Sequence, residues 1–255
     1  MTHSYEVSNL CRSIGVRLAF EFPDKVFGDD YKELNVERNI PALLASIGLE
    51  HDLGNPPFGH QGEVAIRQWF VNKGKVGVGG VENDDFKNFD GNAQTLRLLA
   101  RLQILNDDYG LNLTYAALSA LIKYPCFWGS QVKYGYKKAG VFESERDIAE
   151  EVWSETGLDE GIRHPLTYVM EACDDIAYSV LDAEDAVKKG YASFYDLMDY
   201  LEQHKNNDLK IDKLISKARE KNSEYKCENL SSGELNDMSM QMFIVLCKTP
   251  YNPIS

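Results

Sequence analysis

Residues 51 to 63 read His-Asp-Leu-Gly-Asn-Pro-Pro-Phe-Gly-His-Gln-Gly-Glu. Five of these thirteen side chains can bind a metal ion or move a proton: His51, Asp52, His60, Glu63 and, more weakly, Asn55. So many imidazoles and carboxylates in one short stretch are costly to keep together unless a cation or a substrate uses them. Farther along, Asp174, Tyr178 and Asp182 recur at i, i+4 and i+8, one stripe of a helix. Two carboxylates and a tyrosine on a stripe make a poor core and a good wall for a site. Asp175 points about 100° away from Asp174 by helix geometry, and it is the alternative to that residue.

Helices must carry these groups. Ile40, Leu43, Leu44 and Ile47 are helically spaced, and His51, four residues past Ile47, falls on the buried side at that helix's C-terminal end. Gly54, Pro56, Pro57 and Gly59 then force an irregular loop, and a short helix continues from Glu63 to Phe70. Near the start of the chain, His3, Val7, Leu10, Ile14 and Leu18 share one helical face. A lone histidine on an apolar face is ordinarily a satisfied core residue. Phe22 to Asp30 reads as a connection, and residues 72–80 as a glycine-rich loop without the pattern of a phosphate cradle. Asn92 and Gln94 stand where a leucine-rich helix (Leu96, Leu99, Leu102, Leu105) begins; they are either site amides or solvated residues of a helix-start turn. Thr114 is a good N-cap for the next helix. Residues 126–150 interleave Lys, Tyr and Gly, as in Lys133, Tyr134, Tyr136, Lys137 and Lys138. Such a run can hold phosphates and stack on a base, but a plain surface hairpin is the preferred reading. His164, before Pro165, reads as a helix-start residue, and His204 as solvated. No internal repeat is found.

Composition narrows the class. With 44% hydrophobic and 26% charged residues, the chain has the balance of a soluble globular protein. A net charge of −13 argues against nucleic acid as the main partner, yet a metal can invert the field locally for an anionic small molecule. Five cysteines without CxxC pairing read as reduced thiols, with Cys173 a small buried residue on a helix. No apolar run reaches membrane-span length and no signal peptide opens the chain. The expected location is cytoplasmic.

The string from His51 to His60, His-Asp followed by Gly-Asn-Pro-Pro-Phe-Gly-His, resembles the HD-domain phosphohydrolases. Within them it is most similar to the deoxyguanosine triphosphate triphosphohydrolases and their broader deoxynucleotide relatives. The resemblance covers residues 1 to about 190, with weaker echoes at Asn236 to Phe243. It implies an all-α fold, an HD-domain helical bundle with a small irregular or hairpin excursion. Residues 1–190 would form the core, and residues 191–255 a helical C-terminal extension of the same domain, truncated relative to the family. It also implies that His3, His51, Asp52 and Asp174 ligate a divalent metal, Mn or Mg foremost, with Fe, Ni, Co or Zn as alternatives. His60 would be the proton-transfer residue, oriented by Glu63. Asn55, Asn92, Gln94, Tyr178 and Asp182 would bind substrate, Tyr178 packing by the sugar and Asp182 taking a sugar hydroxyl.

The implied reaction is metal-assisted hydrolysis at the α-phosphorus of a deoxynucleoside triphosphate, dGTP foremost, releasing deoxynucleoside and tripolyphosphate. Relatives assemble as hexamers or tetramers, so a homo-oligomer is expected. The chain departs from the family in starting two residues before His3, without the arginine that relatives place one turn earlier. A nucleotidase acting on monophosphates and a non-catalytic nucleotide-binding or oligomer-forming subunit are the competing readings. The first is disfavoured by the Asn-Pro-Pro-Phe-Gly-His insert and by the stripe from Asp174 to Asp182.

Overall fold

The computed structural model describes residues 2–73, 84–102 and 109–225, with side chains left aside at 210, 221, 222, 224 and 225. Most of the glycine-rich stretch at 72–80, the end of the leucine-rich helix at Leu105 and the echoes beyond Asn236 lie outside the described residues. The described chain is all-α. Its helices are α1 (Thr2–Glu21), α2 (Pro23–Phe27), α3 (Val36–Glu50), α4 (Gly59–Lys73), α5 (Gly91–Arg97), α6 (Tyr115–Leu121), α7 (Arg146–Thr156), α8 (Pro165–Lys188), α9 (Phe194–His204) and α10 (Leu209–Tyr225). The chain divides into two compact units, Met1–Cys173 and Asp174–Ser255, and the division falls inside the unbroken helix α8. Among the described residues no helix is long and apolar enough to cross a membrane.

The first unit is built on the pair α1 and α3. The buried stripe of α1 is Val7, Cys11, Gly15 and Ala19, not the Leu10, Ile14, Leu18 face that bulk alone suggests. Small residues win because the backbones nearly touch. A Cβ on Gly15 would lie 2.9 Å from Pro41 Cα, and one on Gly48 would lie 2.9 Å from Ser8 Cα and 3.0 Å from Cys11 Sγ. Ser8 Oγ closes the contact by donating to Ala45 O at 2.6 Å. Gly15 meets Pro41 and Ser8 meets Gly48, each step seven residues on in opposite directions, so the helices run antiparallel. Toward the N-terminus of α1 the same antiparallel pairing leads to His3, whose ring stands near that of His51.

Helix α6 packs on α3, and α7 on α6. Thr114 caps α6, its side chain accepting from Ala117 N. The start of α8 is pinned to α6 by Thr167 Oγ1, which donates to Ala120 O at 2.9 Å. His164 precedes Pro165, the first residue of α8, and its Nδ1 accepts from Leu166 N; burial holds its pKa below the ordinary value. It is thus the helix-start residue its position before proline suggests. The hairpin expected between 126 and 150 does not form. Phe127 and Val141 make an isolated parallel bridge, the loop is tied by side chains, with Tyr136 OH donating to Gly161 O, and the segment ends in the unexpected helix α7. The stretch read as a connection, from Phe22 to Asp30, instead carries α2 and enters a 3-10 turn at Asp29–Lys32.

In the second unit Val180, Val187, Phe194, Met198 and Ala218 form a core of their own, flanked by Leu197, Leu201 and Leu214. A capping box between Ser193 and Asp196 starts α9.

Candidate metal centre and its proton-transfer pair

His51 caps the C-terminus of α3 and is buried. Its Nδ1 lies 2.8 Å from Gly48 O. A carbonyl only accepts, so Nδ1 carries the proton and Nε2 keeps the lone pair in the neutral ring. A backbone carbonyl fixing one ring nitrogen while the other is left as a ligand is the arrangement that metal-binding histidines adopt. The His3 ring stands edge-on to that of His51, with centroids 5.8 Å apart. His3, His51 and Asp174 each offer a ligand atom, all within 4.8 Å of one another. This His/Asp group could hold a divalent first-row ion, for which two imidazoles and a carboxylate are a suitable donor set. Asp52 Oδ2 lies 3.5 Å from His51 Nε2, beside the group but not within it. Asp175 is exposed and outside it.

The motif loop leaves His51 and docks on the first turns of α5. Gly54 N donates to Thr95 Oγ1 at 2.9 Å, and Thr95 Oγ1 donates to Gly91 O at 3.0 Å. A Cβ at Gly54 would come within 2.2 Å of Gly91 O, so no larger residue fits there. The loop then turns through Phe58, which has φ +66° and is 91% exposed, into α4.

His60 and Glu63, on the first turn of α4, form a pair with contrasting surroundings. The His60 side chain is 82% exposed, and its Nδ1 bonds Glu63 Oε2 at 3.0 Å. Glu63 is 2% exposed. Its Oε1 accepts from Gly91 N at 2.9 Å, while Lys138 Nζ lies 3.4 Å and Arg67 a longer 3.8 Å from Oε2. Burial by itself would raise the pKa of Glu63, but the Gly91 N–H, His60 and Lys138 outweigh it and hold the carboxyl below its usual range. A carboxylate that accepts from Nδ1–H leaves Nε2 of the exposed imidazole available for proton transfer.

Other residues singled out by the sequence fall as follows. Asn55 is exposed in the loop, its side-chain oxygen lying over Gly91. Asn92 gives both its backbone and side-chain N–H groups to Asp90 Oδ1, at 2.9 and 2.8 Å, which is the helix-start arrangement. Gln94 is half-buried in α5. Tyr178 is 62% exposed and Asp182 is exposed, both on α8. Cys173 is fully buried. Lys138, Asp90 and Arg67 were not singled out as site residues, although the Lys/Tyr run had marked the neighbourhood of Lys138; its contact with Glu63 spans 75 residues of chain.

No family model matches the chain. Curated proteins do. A deoxyguanosinetriphosphate triphosphohydrolase-like protein of Listeria monocytogenes is 35% identical over 95% of this chain and 57% of its own length. One of Pseudomonas aeruginosa is 37% identical over 74% of this chain and 44% of its own. A protein of Yersinia enterocolitica named deoxyguanosinetriphosphate triphosphohydrolase is 32% identical over 80% and 46%. Over most of its own length the chain is thus similar to proteins that carry the deoxyguanosinetriphosphate triphosphohydrolase name. It spans about half the length of the relatives that it matches.

Proposed function

We infer that this chain carries the catalytic centre of a metal-dependent deoxynucleoside triphosphate triphosphohydrolase, with dGTP the foremost substrate and deoxynucleoside plus tripolyphosphate the products. The observation that carries the reading is the convergence of His3, His51 and Asp174 within 4.8 Å in a chain whose relatives bear the triphosphohydrolase name. His3, His51, Asp52 and Asp174 would hold the ion, Mn or Mg. The bound ion would supply Lewis acidity toward a phosphoryl oxygen and toward water.

The chain's own residues do the rest. Glu63 orients His60, and the outward Nε2 of His60 moves a proton at the reacting phosphoester. Asp182 takes the 3′-hydroxyl and Tyr178 crowds the 2′ position, which favours deoxyribose, while Asn55, Asn92 and Gln94 supply amides to the substrate. The one-domain reading, with a core at residues 1–190 and a helical extension after it, a cytoplasmic location and a hexamer or tetramer belong to the same proposal.

The test is the metal content of the purified 255-residue chain, read beside its products from a panel of deoxynucleotides with Mn. Tripolyphosphate and free deoxynucleoside are expected, with metal lost in His51→Ala. Release of orthophosphate alone, or stoichiometric metal in that variant, would overturn the assignment.

A further inference from the structure

Two carboxylates lie almost fully buried behind the exposed His60: Glu63 at 2% and Asp90 at 3% exposure. Each already has a fixed task. Glu63 Oε1 is held by Gly91 N, and Asp90 Oδ1 caps α5 through Asn92 N. Their remaining oxygens, Glu63 Oε2 and Asp90 Oδ2, share one ammonium group. Lys138 Nζ lies 2.9 Å from Asp90 Oδ2 and 3.4 Å from Glu63 Oε2. Burial works against the charge on Lys138, but the two carboxylates outweigh it and raise its pKa above the ordinary value. Besides Lys138, the charged and titratable groups facing Glu63 are His60 and the more distant Arg67 on α4, with Asp90 at the head of α5 reached through Lys138. Two anions this close and this dry need a cation between them.

We propose that Lys138 is a positioning residue: bridging Glu63 and Asp90, it keeps Glu63 an anion aimed at Nδ1 of His60, and so sets the orientation of the imidazole that transfers the proton. The lysine acts through Glu63 and does not touch the reacting atoms. Removing its charge stabilises the protonated form of every neighbouring acid, so Glu63 takes up a proton at higher pH. A neutral Glu63 no longer holds Nδ1–H as firmly, and the ring loses its fixed direction. Lysine suits the task because an ammonium can contact two carboxylates that are not coplanar, where a guanidinium favours one in bidentate fashion.

This proposal rests on the hydrolase reading, and the experiment separates the two. Lys138→Met, Lys138→Arg and wild type are compared in kcat, KM and the pH dependence of kcat/KM. In parallel, the Glu63 carboxyl is followed by carbon NMR in glutamate-labelled protein, its resonance identified by its loss in Glu63→Gln. Lys138→Met is expected to lose about 10- to 100-fold in kcat with KM nearly unchanged. Its Glu63 titration and the acid limb of its kcat/KM profile should both move to higher pH, and Lys138→Arg should recover part of each. Should Lys138→Met not fold, Lys138→Gln carries the same comparison. A raised KM with kcat and the Glu63 titration unmoved would make Lys138 a substrate contact and overturn the proposal. If the wild type hydrolyses no deoxynucleotide, the hydrolase reading falls alone; the Glu63 titration still decides whether Lys138 sets its charge, and an unmoved midpoint refutes it.

Discussion

Glu63 and Glu145 are both buried glutamates facing cations, yet they are driven in opposite directions. Glu145 receives Arg97 Nε on both oxygens at 3.0 Å, and the same guanidinium reaches Asp85 Oδ2 at 3.0 Å. Asp85 is further held by Glu143 N and Ser144 Oγ, and the rings of Phe142 and Phe86 lie 4.2 and 5.4 Å from the guanidinium. That network is sealed. Burial raises the pKa of Glu145, and Arg97, shared with Asp85, does not reverse the shift. Glu63 has a backbone N–H, an imidazole and an ammonium group, and its pKa falls. One buried glutamate ties segments together; the other keeps its charge beside an imidazole open to solvent. The difference lies in the number of donors and in whether one partner reaches the surface.

The strongest way to break this contrast is Arg97→Met, which strands Asp85 and Glu145 without their cation. Urea unfolding should show a loss of about 3–5 kcal/mol, and a loss under about 1 kcal/mol would mean that the sealed network is not a staple. Glu63→Gln should behave in the reverse sense. Its kcat/KM should fall about 100-fold or more, while unfolding free energy drops by only about 1–2 kcal/mol. Equal damage to stability from both substitutions would erase the distinction.

The smallest effect sharpens the contrast most. Glu63 has its folded pKa below the ordinary 4.5, so its stabilisation is present above that value and is lost as pH falls through the folded pKa. Glu145 has its folded pKa above 4.5, so its favourable contribution is present below that value and is lost as pH rises through the folded pKa. Unfolding free energies measured from about pH 3 to 7 should therefore lose part of their acid-side fall in Glu63→Gln. In Glu145→Gln they should lose part of the decline above 4.5. Each change is about 1 kcal/mol or less, and slopes of the same sign would contradict the assignment.

Short-range features were legible in the sequence. Thr114 as a cap, His164 at a helix start and His51 at a helix C-terminus follow from spacing and from proline, because their partners lie within a few residues. Features set by distant partners were not. The buried face of α1 is chosen by Pro41 and Ala45 across the helix pair, so apolar bulk pointed to Leu10, Ile14 and Leu18 instead. Helix α7 was missed because the Lys-, Tyr- and Gly-rich run before it drew attention to a hairpin, although Ala149, Val152 and Trp153 carry its buried side. Arg97 and Lys138 look like surface charges in sequence. Their partners are 48 and 75 residues away, beyond the reach of any local pattern.

The glycine contacts between α1 and α3 bear on how this chain can change. Backbones in contact have no rotamers to exchange, so the separation of the two histidine-bearing helices is set by atoms that every sequence shares. Leucines and isoleucines on the flanks of the pair can be traded for one another at modest cost without moving His3 relative to His51. Gly15 and Gly48 have no such latitude, since even a methyl group would push the helices apart. In a mutational library the freedom of this helix pair would collect around its edges, and two positions without side chains would be its narrowest passage.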